Sequence, residues 1–167
     1  EISERLVEMT QMVGDAMGRS TRALLEGDLQ AAESVIASDI DIDERADALE
    51  RLTLDVIALQ APVAGELRAL VGALRISTTL ERMGDLAEHI AQSARRRYPD
   101  YAVPKDLHET IREMGELAVR LAFETGETGV LAAVADSKKT AEKGGAARLR
   151  FRATAGRDHR IVISSDT

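Results

Sequence analysis

The chain has 167 residues, enough for one domain with a substantial core. It carries 22 Lys and Arg against 29 Asp and Glu, a net charge of -7, which argues against a nucleic-acid binder and against a protein held on anionic lipid. With no cysteine, disulfides, thiolate metal sites and a cysteine nucleophile are excluded.

Aromatics are nearly absent: Tyr98, Tyr101, Phe123 and Phe151, with no Trp. A core of Leu, Ala, Val and Ile in this proportion favours helix packed on helix over a β-sandwich. No window approaches the apolar length that spans a bilayer, so no membrane span is expected. The start, Glu1-Ile2-Ser3-Glu4, is not a signal peptide and lacks Met, so the natural start is expected to lie upstream.

In residues 1–26, Ile2, Leu6, Met9, Val13, Ala16, Ser20 and Ala23 are spaced alternately by four and three. That spacing predicts an amphipathic helix with a coiled-coil-like seam. Gly27 suits the position past a helix end, and Asp28 the N-cap of the next helix. A second helix is predicted over 29–60, with Ala32, Val35, Asp39, Ile42, Ala46, Leu49, Thr53 and Val56 as its seam. Asp39 therefore lies on an inward row. Pro62 suits the first turn of a third helix over 62–97, which ends in Arg95-Arg96-Arg97, where positive charge favours a helix C-terminus.

Pro99 and Pro104 bracket a loop, and a fourth helix is predicted to begin near Asp106, with Leu107, Ile111, Met114, Ala118 and Leu121 as its row and Leu117 beside it. From Glu124 the periodicity fails and the charge changes sign. Residues 1–123 hold 14 basic and 23 acidic groups; residues 124–167 hold 8 and 6. Strict alternation in Arg148-Leu149-Arg150-Phe151-Arg152-Ala153, then looser alternation over 159–164, reads as a β-hairpin. The tail is then a docked or disordered appendage, or a sequence foreign to the bundle. The expected fold is all-α: an antiparallel three-helix bundle over 1–98, a loop and the start of a further helix over 99–123, and an irregular tail over 124–167.

The third helix holds the main chemical signal. One row passes from Leu67, Leu70 and Leu74 through Ser77 to Glu81, Asp85 and Glu88. The neighbouring row, Ile76, Leu80, Met83, Ala87, Ile90 and Ala94, stays apolar and is expected to face the core. Crowded carboxylates on one face repel unless a cation lies between them. Gly84 leaves room for a close approach beside Asp85. Reflection across the turns near residues 27 and 60 places Asp15, Asp39, Glu81 and Asp85 at one level, to within about one helical turn.

Two readings of that level are open. Arginines could neutralise it, Arg19 standing four residues after Asp15, with Arg82 nearby. Alternatively, the carboxylates could hold a hard metal ion. No nucleophile-and-base set and no phosphate-binding glycine loop is present. Asp41, Asp43, Glu44 and Asp47 lack the glycine and closing glutamate of a calcium loop.

Ala32-Glu33-Ser34-Val35-Ile36, Asp39, Ile42-Asp43, Ala58-Leu59-Gln60-Ala61-Pro62-Val63-Ala64, Leu67-Arg68 and Leu80-Glu81-Arg82-Met83-Gly84-Asp85-Leu86-Ala87 together resemble the PhoU phosphate-signalling family. The likeness covers roughly 1–123 and is most specific over 58–90. It implies one of the family's two tandem three-helix bundles and part of the second. Each bundle carries a Glu-x-x-x-Asp metal motif, matched here by Glu81 and Asp85. The metal would be Mg, Mn, Fe or Zn, with Asp39 and Asp15 as further candidate ligands.

The resemblance also implies a cytoplasmic negative regulator of phosphate uptake and of the starvation response, without catalysis of its own. Its partners would be the phosphate importer's ATPase and a sensor histidine kinase. A fourth helix with its apolar row uncovered makes a homodimer expected. The competing classes are a carboxylate-metal bundle enzyme or metal store, which calls for Glu-x-x-His pairs, and a purely structural helical bundle.

Overall fold

A computed structural model describes the backbone of residues 1–141 and the side chains of residues 1–125. The stretch expected as a β-hairpin lies outside the described residues. Among the described residues there are four helices: α1 (Ile2–Glu26), α2 (Leu29–Gln60), α3 (Ala64–Arg97) and α4 (His108–Ala141), with a 3-10 turn over Lys105–Leu107 leading into α4.

The turns follow from local chemistry. Gly27 takes a left-handed conformation, φ 69°, and its N–H donates to the Ala23 carbonyl. The Asp28 carboxylate accepts from the Ala31 N–H at 3.0 Å and caps α2. At the next turn Ala61 adopts φ 44° and Val63, not Pro62, stands at the N-cap of α3. The helix therefore starts two residues later than expected.

In α1, Leu6, Met9, Val13, Ala16, Ser20 and Ala23 are all buried; in α2, Ala32, Val35, Ile42, Ala46, Leu49 and Thr53 are. Both seams follow the spacing-based expectation, except that Ile2, Asp39 and Val56 are only half-buried. The α3 expectation holds in part: Leu80, Ala87 and Ala94 of the expected row are buried. The helix's buried row is Ala73, Ser77, Leu80, Gly84, Ala87, Ala91 and Ala94, again spaced by four and three. Ile76, Met83 and Ile90 are only half-buried. The small row wins because α3 packs against α1, α2 and α4 together, and short side chains let all three axes approach.

Helices α2 and α4 lie on opposite sides of the α1–α3 pair, and α4 contributes Ala122 to the shared core. Its inward row is Ile111, Gly115, Ala118, Val119 and Ala122, and close approach carries the contact. A β-carbon at Gly14 would stand 2.9 Å from the Phe123 ring, and one at Gly115 would overlap the Thr21 side chain. Met114, Leu117 and Leu121 stay outside, 58%, 49% and 55% exposed. The helix continues past residue 123, where periodicity weakens, to Ala141. Gly126 and Gly129 cost such a helix about 1 kcal/mol each, and the Ala, Leu and Lys around them are strong helix formers.

Candidate metal centre

The groove between α2 and α3 is lined by acids from both sides. On α2, Asp39, Asp43, Asp47 and Glu50 recur every three or four residues, and on α3 so do Glu81, Asp85 and Glu88. Spacing of that kind puts each set on one helix face. Asp39, Asp43 and Asp85 meet: one oxygen from each lies within 4.8 Å of the others. Gly84 makes the approach possible, since a β-carbon there would stand 3.3 Å from Asp39 Oδ1 and 3.1 Å from Ile42 Cδ1.

Electrostatics record the crowding. Burial raises the Asp39 carboxyl to about 6, with Asp43, Glu88 and Asp85 adding repulsion and His89 opposing it. Burial also raises Asp43, helped by Asp85, Asp47 and Glu88. Glu81, half-buried beside the trio, is raised by burial and then by Asp43, Asp85, Asp47 and Glu50. Among the described residues no basic nitrogen lies within 4.0 Å of Asp39, Asp43, Glu81 or Asp85. The arginine-neutralised reading therefore has no partner to offer. Arg19 turns instead to Ser34 Oγ at 3.0 Å and Ser38 Oγ at 3.5 Å.

Of the residues expected at one level, the structure brings Asp39 and Asp85 together and keeps Glu81 alongside. It does not bring Asp15. That residue is at a suitable depth but belongs to the exposed row Glu4, Glu8, Gln11, Asp15, Gly18 and Arg22 of α1. Reflection across a turn sets height and says nothing of rotation. The α2–α3 turn is also centred near residue 62, which moves the partner of Asp39 from 81–82 to 85. Asp43, which the sequence sets only in an incomplete calcium-loop pattern, joins Asp39 and Asp85. The signal that finds it is its position four residues after Asp39, on the same face of α2.

Three all-oxygen donors converging from two helices without a cationic partner suit a hard cation, and the raised Asp39 carboxyl fits that demand.

Residues 6–94 match the PhoU domain. The chain belongs to the PhoU family. It is 46% identical over 121 residues to the "Phosphate-specific transport system accessory protein PhoU homolog 1" of Mycobacterium leprae, covering 72% of this chain and 54% of the relative. Identity is also 46% over 121 residues to PhoU homolog 2 of Mycobacterium tuberculosis, covering 72% and 57%. The chain thus spans about half the length of these curated PhoU relatives. A crystal structure of PhoU from Pseudomonas aeruginosa shares the fold, with a TM-score of 0.66 at 21% identity, over 83% of this chain and 69% of that one.

Proposed function

We propose that this PhoU-family chain is a phosphate-transport accessory protein that regulates by protein contact rather than by catalysis, in the cytoplasm. Family membership and the relatives named as accessory proteins of phosphate-specific transport support that role. No described helix is long and apolar enough to cross a membrane.

The observation that carries the mechanistic reading is the convergence of Asp39, Asp43 and Asp85. These three would hold a hard metal ion, Mg, Mn, Fe or Zn, with Glu81 as a neighbouring donor. Such an ion supplies positive charge and coordination positions open to an oxygen ligand from a docking partner. The chain's own contribution is positioning: Gly84 admits Asp39, and the packed seams of α2 and α3 hold the two carboxylate rows face to face. The partners we assign are the importer's ATPase and the sensor histidine kinase, as the family resemblance implies, and a second copy of this chain over the uncovered Met114, Leu117 and Leu121 face.

Metal analysis of the purified protein tests the site. The expected result is bound metal in the wild type and an affinity at least roughly tenfold lower in Asp39→Asn with Asp85→Asn. Pull-down of the importer's ATPase, with and without phosphate, tests the partner. Equal metal content in wild type and variant, together with no ATPase contact under either condition, would overturn the reading.

A further inference from the structure

Glu88 closes the carboxylate row of α3, three residues beyond Asp85 and on the same helix face. It is half-buried, and among the described residues no basic nitrogen lies within 4.0 Å of it. Its polar contact lies one turn further on: the half-buried Gln92 donates from Nε2 to Glu88 Oε1 at 2.7 Å. That bond engages one carboxylate oxygen and limits the directions in which the other can point.

The antiparallel register brings this group to the acidic centre. Asp39 and Ile42 both stand over Gly84, so Asp39 lies toward the Asp85 and Glu88 end of the groove and Asp43 toward Glu81. Burial is the main cause that raises the Asp39 and Asp43 carboxyls, and Glu88 is among the neighbouring charges that add to both. As a helix-stabilising pair at i, i+4, the Gln92–Glu88 contact would contribute little. Its chemistry is more telling: an amide holds a carboxylate and leaves its charge in place, whereas a lysine or arginine would cancel that charge.

We propose that Glu88 is a further donor to the metal ion at Asp39, Asp43 and Asp85, and that Gln92 is the positioning residue that aims it; this rests on the metal reading of that site. The trio offers one oxygen each, whereas hard cations take about six or more oxygens. Glutamate is longer than aspartate by a methylene, so Glu88 serves the same ion from about 4.5 Å further along the axis. Carboxylates that ligate metals are themselves held by outer hydrogen bonds, and losing one costs roughly ten- to a hundredfold in affinity. Gln92 occupies that outer position.

The test titrates Mn2+ into the full chain and reads the unbound ion by electron paramagnetic resonance, in about 0.5 M KCl so that charges acting through solvent are screened. Wild type is expected to bind, and Glu88→Gln to bind at least roughly tenfold more weakly. Gln92→Leu is expected to lose a similar factor, with helicity of the metal-free protein by circular dichroism unchanged. In the Glu88→Gln background, Gln92→Leu is expected to cost less than about twofold, since it has no donor left to aim. Glu66→Gln, at an exposed position outside the groove, is the control and is expected to change affinity less than about twofold. No Mn2+ binding by wild type would overturn the metal reading and this inference with it. Wild-type binding with Glu88→Gln within about twofold would overturn the donor role alone. An equal loss from Gln92→Leu in both backgrounds would overturn the positioning role.

Discussion

The Asp39 carboxylate lies over Gly84, so close that a β-carbon at residue 84 would stand 3.3 Å from its Oδ1. The same β-carbon would press on Ile42 at 3.1 and 3.3 Å, so one glycine serves both the core and the acidic groove. Gly84→Val is expected to destabilise the fold by about 1–3 kcal/mol through overpacking, more than the helix-propensity gain returns. It should also weaken metal binding by displacing Asp39. Thermal unfolding and metal titration check both, and an unchanged melting temperature would refute the close approach.

The acidic groove makes a pH prediction for metal-free protein. Asp39 is raised to about 6 in the fold, whereas an unfolded Asp titrates near 3.9. Between those values the folded state holds more protons than the unfolded one. Stability from this group is therefore complete below about pH 4 and is lost as pH rises through about 6. Asp43 and Glu81 shift in the same direction. Asp39→Asn should raise the melting temperature of metal-free protein at pH 7 by roughly 3 °C or less and have little effect at pH 4. Metal binding should run the opposite way, tightening as pH rises through about 6, because the ligands must be ionised.

The α1–α4 contact depends on missing side chains. Gly115→Ala places a β-carbon into Thr21 and should destabilise by about 1–3 kcal/mol. Thr21→Ala removes the two nearest of those atoms and should recover part of the loss when combined with it. A double-mutant cycle in denaturant reads the coupling; strictly additive effects would argue against this packing.

Met114, Leu117 and Leu121 form an exposed apolar strip on α4. Leu117→Gln with Leu121→Gln should change monomer stability by no more than about 0.5 kcal/mol per site, as expected for surface positions. If a second copy covers the strip, the same variant should abolish concentration-dependent self-association measured by light scattering. Self-association that survives the double substitution would move the interface elsewhere.

The α1 and α2 seams, the Gly27 and Asp28 caps and the carboxylate face of α3 were legible from residue order alone. Spacing reports which side chains share a face, and capping depends on neighbours within a turn. The meeting of Asp39 with Asp85 was legible to within about one turn, since short connections force antiparallel neighbours. Three features needed the assembled bundle. Asp15 has the right height but the wrong rotation, α3 buries Ala73, Ser77, Gly84 and Ala91 beside the expected Leu80, Ala87 and Ala94 while Ile76, Met83 and Ile90 stay half-buried, and α4 turns Ile111, Gly115, Val119 and Ala122 inward and Met114, Leu117 and Leu121 outward. Periodicity is measured about a helix's own axis. Which of two adjacent faces is buried depends on how many neighbours crowd that axis and how near they come. Here that distance is set by glycines and alanines on opposing helices, a property of pairs of segments far apart along the chain.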